Sequence, residues 1–190
     1  MRHSIDFVEP CLPSKAERPP SGPLWLHEIK HDGYRLMVRR DGLRVRCFTR
    51  DGHDWADRFP AIVEVAFQLR ATSFLIDGEV VITRDDGTPD FHALRSQRRG
   101  HEAVLVAFDL IERDGEDLRD LPLIERKRRL ARLVGKTKNR RAIQYGEHLK
   151  GNGASVLAYV CRLGLEGIVS KRVLLSAFRR ASVPSSSIPI

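Results

Sequence analysis

The dipeptide Asp41-Gly42 lies between two alternating apolar runs, RLMVRR and LRVRCF, and constrains this chain more than any other short feature. Asp-Gly tolerates the positive φ angles of a two-residue turn whose twist matches its flanking strands, so the segment is predicted to be an antiparallel hairpin. Further strands are predicted around it. WLHEI precedes it, and FLIDGEVVIT follows with Asp77-Gly78 inside the run. AVLVAFDLI is a continuous apolar stretch of the kind expected of a strand covered on both faces. Asp85-Asp86-Gly87 and Asp114-Gly115 mark additional turns. Helical spacing is found in PAIVEVAFQLR, DFHALRSQ, PLIERKRRLARLV and ASVLAYVCRLG. In the third of these, Leu123, Leu130 and Val134 share one face, with Pro122 suited to the first turn and Gly135 to the C-terminal cap. Its arginines are then expected to point outward. Antiparallel strands with helices placed irregularly among them, and no repeating βαβ rhythm, predict an α+β fold.

The chain has 190 residues, of which 42% are hydrophobic and 31% charged, enough to bury one large or two small cores and too apolar for a disordered chain. The longest purely apolar run is the six residues Ala103 to Phe108, so no membrane helix is expected. The start, MRHSIDFVEP, lacks the apolar core of a secretory signal, and Cys11, Cys47 and Cys161 are odd in number and widely spaced. A reducing cytoplasm fits, without structural zinc. Cys47 and Cys161 read as core residues, and the scattered histidines are assigned no chemistry. Five of the ten prolines crowd into PCLPSKAERPPSGP, which excludes helix and central strand there, while ASVPSSSIPI is too polar and interrupted to pack. The expected organisation is a proline-rich wrap over residues 1–22, one compact unit over 23–172, and a divergent, mobile tail over 173–190.

The net charge of +8 is unevenly distributed. Between Glu125 and Arg141 there are nine basic residues and one acidic, so the remaining 173 residues carry 24 of each sign. Such a segment suits contact with a phosphate backbone, as well as an ordinary solvated helix face.

Chemistry is suggested by Glu28-Ile29-Lys30-His31-Asp32-Gly33-Tyr34-Arg35, which places a lone lysine between a strand and a turn. In order after it come Thr49-Arg50-Asp51-Gly52, Asp77-Gly78-Glu79, Phe108-Asp109-Leu110, and Glu166-Gly167-Ile168-Val169-Ser170-Lys171. This series resembles, in order and spacing, the nucleotidyltransferase motifs of ATP-dependent DNA ligases. The flanks PCLPSKAERPPSGPLWLHEIKHDGYRLMVRR and DLPLIERKRRLARLV are similar to bacterial ligases related to the ligase domain of end-joining systems, and the resemblance covers residues 5 to 172.

The resemblance implies an adenylation domain of ATP-grasp-like nucleotidyltransferase fold that uses ATP with magnesium, or with manganese as the alternative metal. Lys30 would attack the ATP α-phosphate, AMP would pass to the 5′-phosphate of a nicked DNA duplex, and the 3′-hydroxyl would seal the nick in DNA repair or recombination. Glu28 and the Ile29 backbone would read adenine, and Phe108 would stack on it, although Phe108 equally fits a core position. Arg35 and Arg50 would contact the nucleotide or DNA phosphate. Glu79 would hold the ribose or a magnesium ion, Glu166 would be the second metal carboxylate, and Lys171 would neutralise the α-phosphate. Arg126, Arg128, Arg129 and Arg132 would track the duplex. A primary amine of ordinary lysine basicity is neutral in only about one molecule in a thousand near pH 7.4, a handicap of roughly 4 kcal/mol, so nearby cations are needed to favour the free amine.

The family pattern continues into a tryptophan followed by alternating lysines and then an OB-fold domain. Here Lys171 is the last lysine, Trp55 is the last tryptophan, and RVLLSAFRRASVPSSSIPI no longer follows the pattern after Arg172. The resemblance therefore implies weak or absent ligation by this chain alone, without an OB-fold domain, and a monomer in the cytoplasm associated with the nucleoid. Two alternatives stand beside it: an RNA-ligating or capping enzyme of the same superfamily, and a remnant that binds nucleotide or DNA without turnover.

Overall fold

In the computed structural model, the described residues are 7–84, 87–135, 142–175 and, for the backbone, 186–189. The strands in chain order are β1 (Ser14–Lys15), β2 (Trp25–Ile29), β3 (Tyr34–Asp41), β4 (Arg44–Thr49), β5 (Ser73–Val81), β6 (Val104–Arg113), β7 (Glu116–Asp117), β8 (Ile143–Tyr145), β9 (Gly167–Arg172) and β10 (Ser186–Pro189). The helices are α1 (Pro60–Gln68), α2 (Phe91–Arg95), α3 (Leu123–Val134) and α4 (Gly153–Arg162). A four-stranded sheet runs β1-β10-β9-β2, and a six-stranded sheet runs β4-β3-β5-β6-β7 with β8 parallel to β6. The α+β expectation holds.

The predicted hairpin is present with its turn moved by one residue. Asp41 closes β3 opposite Arg44, so Gly42 and Leu43 form the turn, with Gly42 at φ +57°. Glycine at the first turn position supplies the one positive φ that such a turn requires. Side chains then alternate across the larger sheet. Leu36, Val38, Ile76 and Leu105 join Ile62, Leu94, Leu130 and Leu133 of α1, α2 and α3 in the main core. Met37, Leu75 and Ile111 face the other way and pack with Val8 and Phe48 in a smaller cluster, which ties the proline-rich N-terminal stretch to the sheet. Asp90 caps α2 by accepting from Ala93 N at 2.9 Å, and Asn152 caps α4 by accepting from Ser155 N at 3.1 Å.

The C-terminal stretch departs from the expectation over Ser186–Pro189. These residues form β10, antiparallel to β9 and parallel to β1. An exposed sheet edge offers backbone donors and acceptors to any extended segment, so pairing there requires no apolar side-chain pattern. Residues 176–185 lie outside the described residues, as do Asp85, Asp86 and Lys136 to Arg141, the second half of the basic segment.

Candidate active site

Lys30 follows the last residue of β2, and its backbone N–H donates to Gly167 O at 2.9 Å. The β2–β9 ladder sets Ile29 opposite Ile168, Glu28 opposite Val169 and Leu26 opposite Lys171. This register brings the first and last sequence motifs side by side. Gly167 has φ +152°, which L side chains rarely adopt, so Glu166-Gly167 needs glycine for its backbone. The Lys30 ammonium pairs with the Glu166 carboxylate.

The second wall comes from the larger sheet. Arg35 on β3 faces Glu79 on β5, and Asp77 faces Asp109 on β6. The β5–β6 register slips between Asp77 and Gly78, leaving Phe108 without a partner on β5. A bulge of this kind re-aims the side chains of its strand, and Phe108 and Asp109 both reach the cleft. Gly33, in the turn after Lys30, lies so close to β5 that a Cβ there would sit 2.2 Å from Val80 O. The motif glycine is thus required by close backbone approach.

Between the two sheets lies a cleft of about 1030 Å³. Lys30, Glu28, Ile29, Arg35, Arg50, Glu79, Phe108, Glu166 and Lys171 all line it, so the residues singled out in five separate motifs converge on one place. Arg50 is the most open of them, 59% exposed and 3.5 Å from Asp51.

Glu28 is buried at the inner end, with each carboxylate oxygen against a different lysine. Lys127 Nζ lies 2.6 Å from Oε1 and Lys171 Nζ 2.6 Å from Oε2. Burial alone would raise the carboxyl pKa; the Lys171 and Lys127 charges outweigh it and hold it at about 2. Glu28, expected to read adenine together with the Ile29 backbone, is held by two ammonium groups. Phe108 carries cations over its ring, with Lys171 Nζ 4.1 Å and Arg35 Cζ 4.5 Å from the centroid.

Arg35 grips Asp77 with two hydrogen bonds, Nε to Oδ1 at 2.6 Å and Nη2 to Oδ2 at 2.7 Å. Glu79, by contrast, has no ion-pair or hydrogen-bond partner among the described residues. Burial pushes its pKa up to about 7, with Arg35 opposing and Asp77 adding to the rise. Glu79 shares the cleft with Asp32, Asp77 and Glu166, but among the described residues no three acidic, histidine or cysteine side chains are grouped closely enough to hold a metal ion by themselves, so a cation here would also need oxygens from the nucleotide phosphates.

Helix α3 differs from the expectation that its arginines point outward. Arg126 is 1% exposed and grips Asp109, Nε to Oδ1 at 2.8 Å and Nη2 to Oδ2 at 2.9 Å. It also donates to Leu121 O at 2.5 Å and Leu175 O at 2.9 Å. Arg126 is therefore unavailable to DNA, because Asp109 and two carbonyls use its donors. Lys127, which sequence reasoning missed, is fully buried and donates to Phe108 O at 3.1 Å and Gly146 O at 3.2 Å. The signal was present in the residue numbers. Arg126 and Lys127 share the helical face of Leu123, Leu130 and Val134, three to eight residues apart. Arg128 and Arg129 remain outside, paired with Glu125, and Arg129 also with Glu116. None of Arg128, Arg129 and Arg132 lines the cleft.

Among known families, the model described as "ATP dependent DNA ligase domain" matches residues 15–182. The "Multifunctional non-homologous end joining protein LigD" of Pseudomonas aeruginosa is 40% identical over 177 residues, which cover 92% of this chain and 21% of that protein. The "SPbeta prophage-derived DNA ligase-like protein LigB" of Bacillus subtilis is 30% identical over 170 residues, 87% of this chain and 61% of that one. A solved structure of a mycobacterial DNA ligase D complexed with ATP and MES superposes with a TM-score of 0.84 at 27% identity, over 98% of this chain and 62% of that chain. The chain thus spans from a fifth to three fifths of the curated relatives it matches.

Proposed function

Because the chain belongs to the ATP-dependent DNA ligase domain family, we propose that it carries out the adenylation chemistry of a DNA ligase, with Lys30 as the nucleophile. The Lys30 nitrogen attacks the α-phosphorus of ATP and a P–N bond forms. The bond to the oxygen bridging to the β-phosphate breaks, and pyrophosphate leaves with the electron pair. The amine must shed a proton first, and Glu166, already against it, is the nearest acceptor. Lys171, 15% exposed, sits where it can neutralise phosphate charge while held by Glu28. Phe108 and Glu28 form the purine end of the site. Glu79 and Glu166 would be the protein ligands of a magnesium ion held together with the nucleotide phosphates, which would shield the triphosphate charge from the attacking nitrogen. AMP would then pass from Lys30 to the 5′-phosphate of a DNA nick, and the 3′-hydroxyl would displace it.

The observation that carries this reading is the meeting of Lys30, Glu28, Arg35, Glu79, Phe108, Glu166 and Lys171 in one cleft, from residues up to 143 positions apart in sequence. The reading places catalysis in residues 23–172. Nick sealing on DNA and RNA duplexes, with ATP or GTP, tests it: ATP and DNA nicks should be favoured. A preference for RNA nicks would reassign the substrate. Arg128 and Arg129, on the exposed side of α3, are assigned to the DNA backbone; reversing both charges should flatten the salt dependence of nick binding. An unchanged slope would remove them from the interface.

A further inference from the structure

We propose that Lys127 is a positioning residue for nucleotide recognition, acting through Glu28 and the Phe108 backbone without touching the nucleotide. The proposal rests on the adenylation reading of the cleft. The Lys127 ammonium donates to Phe108 O at 3.1 Å and Gly146 O at 3.2 Å and stands in ion-pair contact with Glu28, Nζ 2.6 Å from an Oε1 that no donor reaches in hydrogen-bond geometry. One buried cation thus ties together the two residues assigned to the purine, Glu28 on β2 and Phe108 on β6, which belong to different sheets. It also ties both to α3 and to the turn after β8.

Charge makes the arrangement specific. Glu28 has one negative charge and two lysine neighbours, one per oxygen, so the cluster keeps one positive charge in excess. With Lys127 absent, Glu28 would be balanced by Lys171 alone and would lose the cation that holds its second oxygen. The Glu28 carboxylate would also be free to turn toward Lys171. Burial disfavours the Lys127 charge and Glu28 opposes that effect, as expected of a cation kept inside by its partner.

The test is Lys127→Met, with covalent AMP on the protein measured by intact mass against ATP and GTP concentration. Half-saturating ATP should rise about tenfold or more, and the preference for ATP over GTP should fall by a similar factor, while the maximal rate stays within about threefold. In a Glu28→Gln background, Lys127→Met should add clearly less to either change, because only its route through the Phe108 backbone remains. If Lys127→Met gives no cooperative melt, Lys127→Gln, which retains donors toward the carbonyls, is measured in its place. A folded variant with half-saturation and ATP preference within about twofold of wild type would overturn the proposal, as would equal losses in both backgrounds. If wild type itself forms no adduct, the adenylation reading fails, which is a separate and recognisable result.

Discussion

Replacing Arg126 by methionine should destabilise the protein far more than replacing the exposed Arg128 of the same helix. Methionine keeps an unbranched apolar stem in the space but removes every donor. Asp109, with its side chain 12% exposed, then loses a two-point partner at 2.8 and 2.9 Å, and the Leu121 and Leu175 carbonyls lose theirs at 2.5 and 2.9 Å. Removing one partner of a buried ion pair costs about 3–5 kcal/mol, because the remaining charge is left uncompensated. For a chain of this size about 1 kcal/mol moves the melting temperature by ~2–4 °C, so Arg126→Met should melt ~6–20 °C below wild type. Adding Asp109→Asn should recover part of that loss by removing the stranded charge. Arg128 provides the control. Its side chain is 57% exposed and pairs with Glu125 at 2.5 Å, so Arg128→Met should cost under about 1 kcal/mol. Thermal melts followed by circular dichroism would read all four proteins. An Arg126→Met variant melting within about 2 °C of wild type would refute the buried-anchor argument.

Other expectations concern the rest of the cleft and the core. Gly33→Ala should lower the initial rate of AMP-adduct formation by about tenfold or more, since its Cβ would lie 2.2 Å from Val80 O and the turn holding Lys30 must shift; an unchanged rate would show that the close approach is dispensable. Glu28, held at about 2 against an ordinary 4.5, favours the folded state in full above pH 4.5, and this contribution is lost as pH falls toward 2. The difference amounts to about 3 kcal/mol. Urea titrations should therefore show a steeper acid loss for wild type than for Glu28→Gln, and parallel curves would contradict the coupling to Lys127 and Lys171. The Cys47 thiol is pushed up to about 12, chiefly by burial, whereas Cys11 is exposed. A thiol reagent at pH 8 should thus label Cys11 quickly and Cys47 only on unfolding, and because unfolded Cys47 ionises first, stability should fall as pH rises above 9.

Local patterns in the sequence carry most of the strands and helices. Apolar alternation and Asp-Gly turns place β3 and β4, and the continuous run AVLVAFDLI becomes β6. Lys30, Glu79 and Lys171 stand in ordered motifs of the sequence, and the cleft gathers all three. What escaped detection is tertiary. Helical spacing puts Arg126 and Lys127, unlike Arg128 and Arg129, on the face of Leu123, Leu130 and Val134, but spacing alone does not make a buried cation tolerable. Only the carboxylates of Asp109 and Glu28, supplied by other elements, make burial of two cations tolerable. The slip that frees Phe108 from the β5 ladder depends on pairing between distant strands and leaves no mark in its own neighbours. β10 escaped for a related reason, since its backbone pairs along the edge of β9 without an apolar alternation to announce it.

The central claim is that the Lys30 nitrogen takes up AMP from ATP. Intact-mass measurement after incubation with ATP and magnesium should show wild type gaining one AMP, the adduct surviving denaturation and mapping to Lys30, and Lys30→Ala gaining none. An adduct of the same yield on Lys30→Ala, or one mapped to a different side chain, would contradict it.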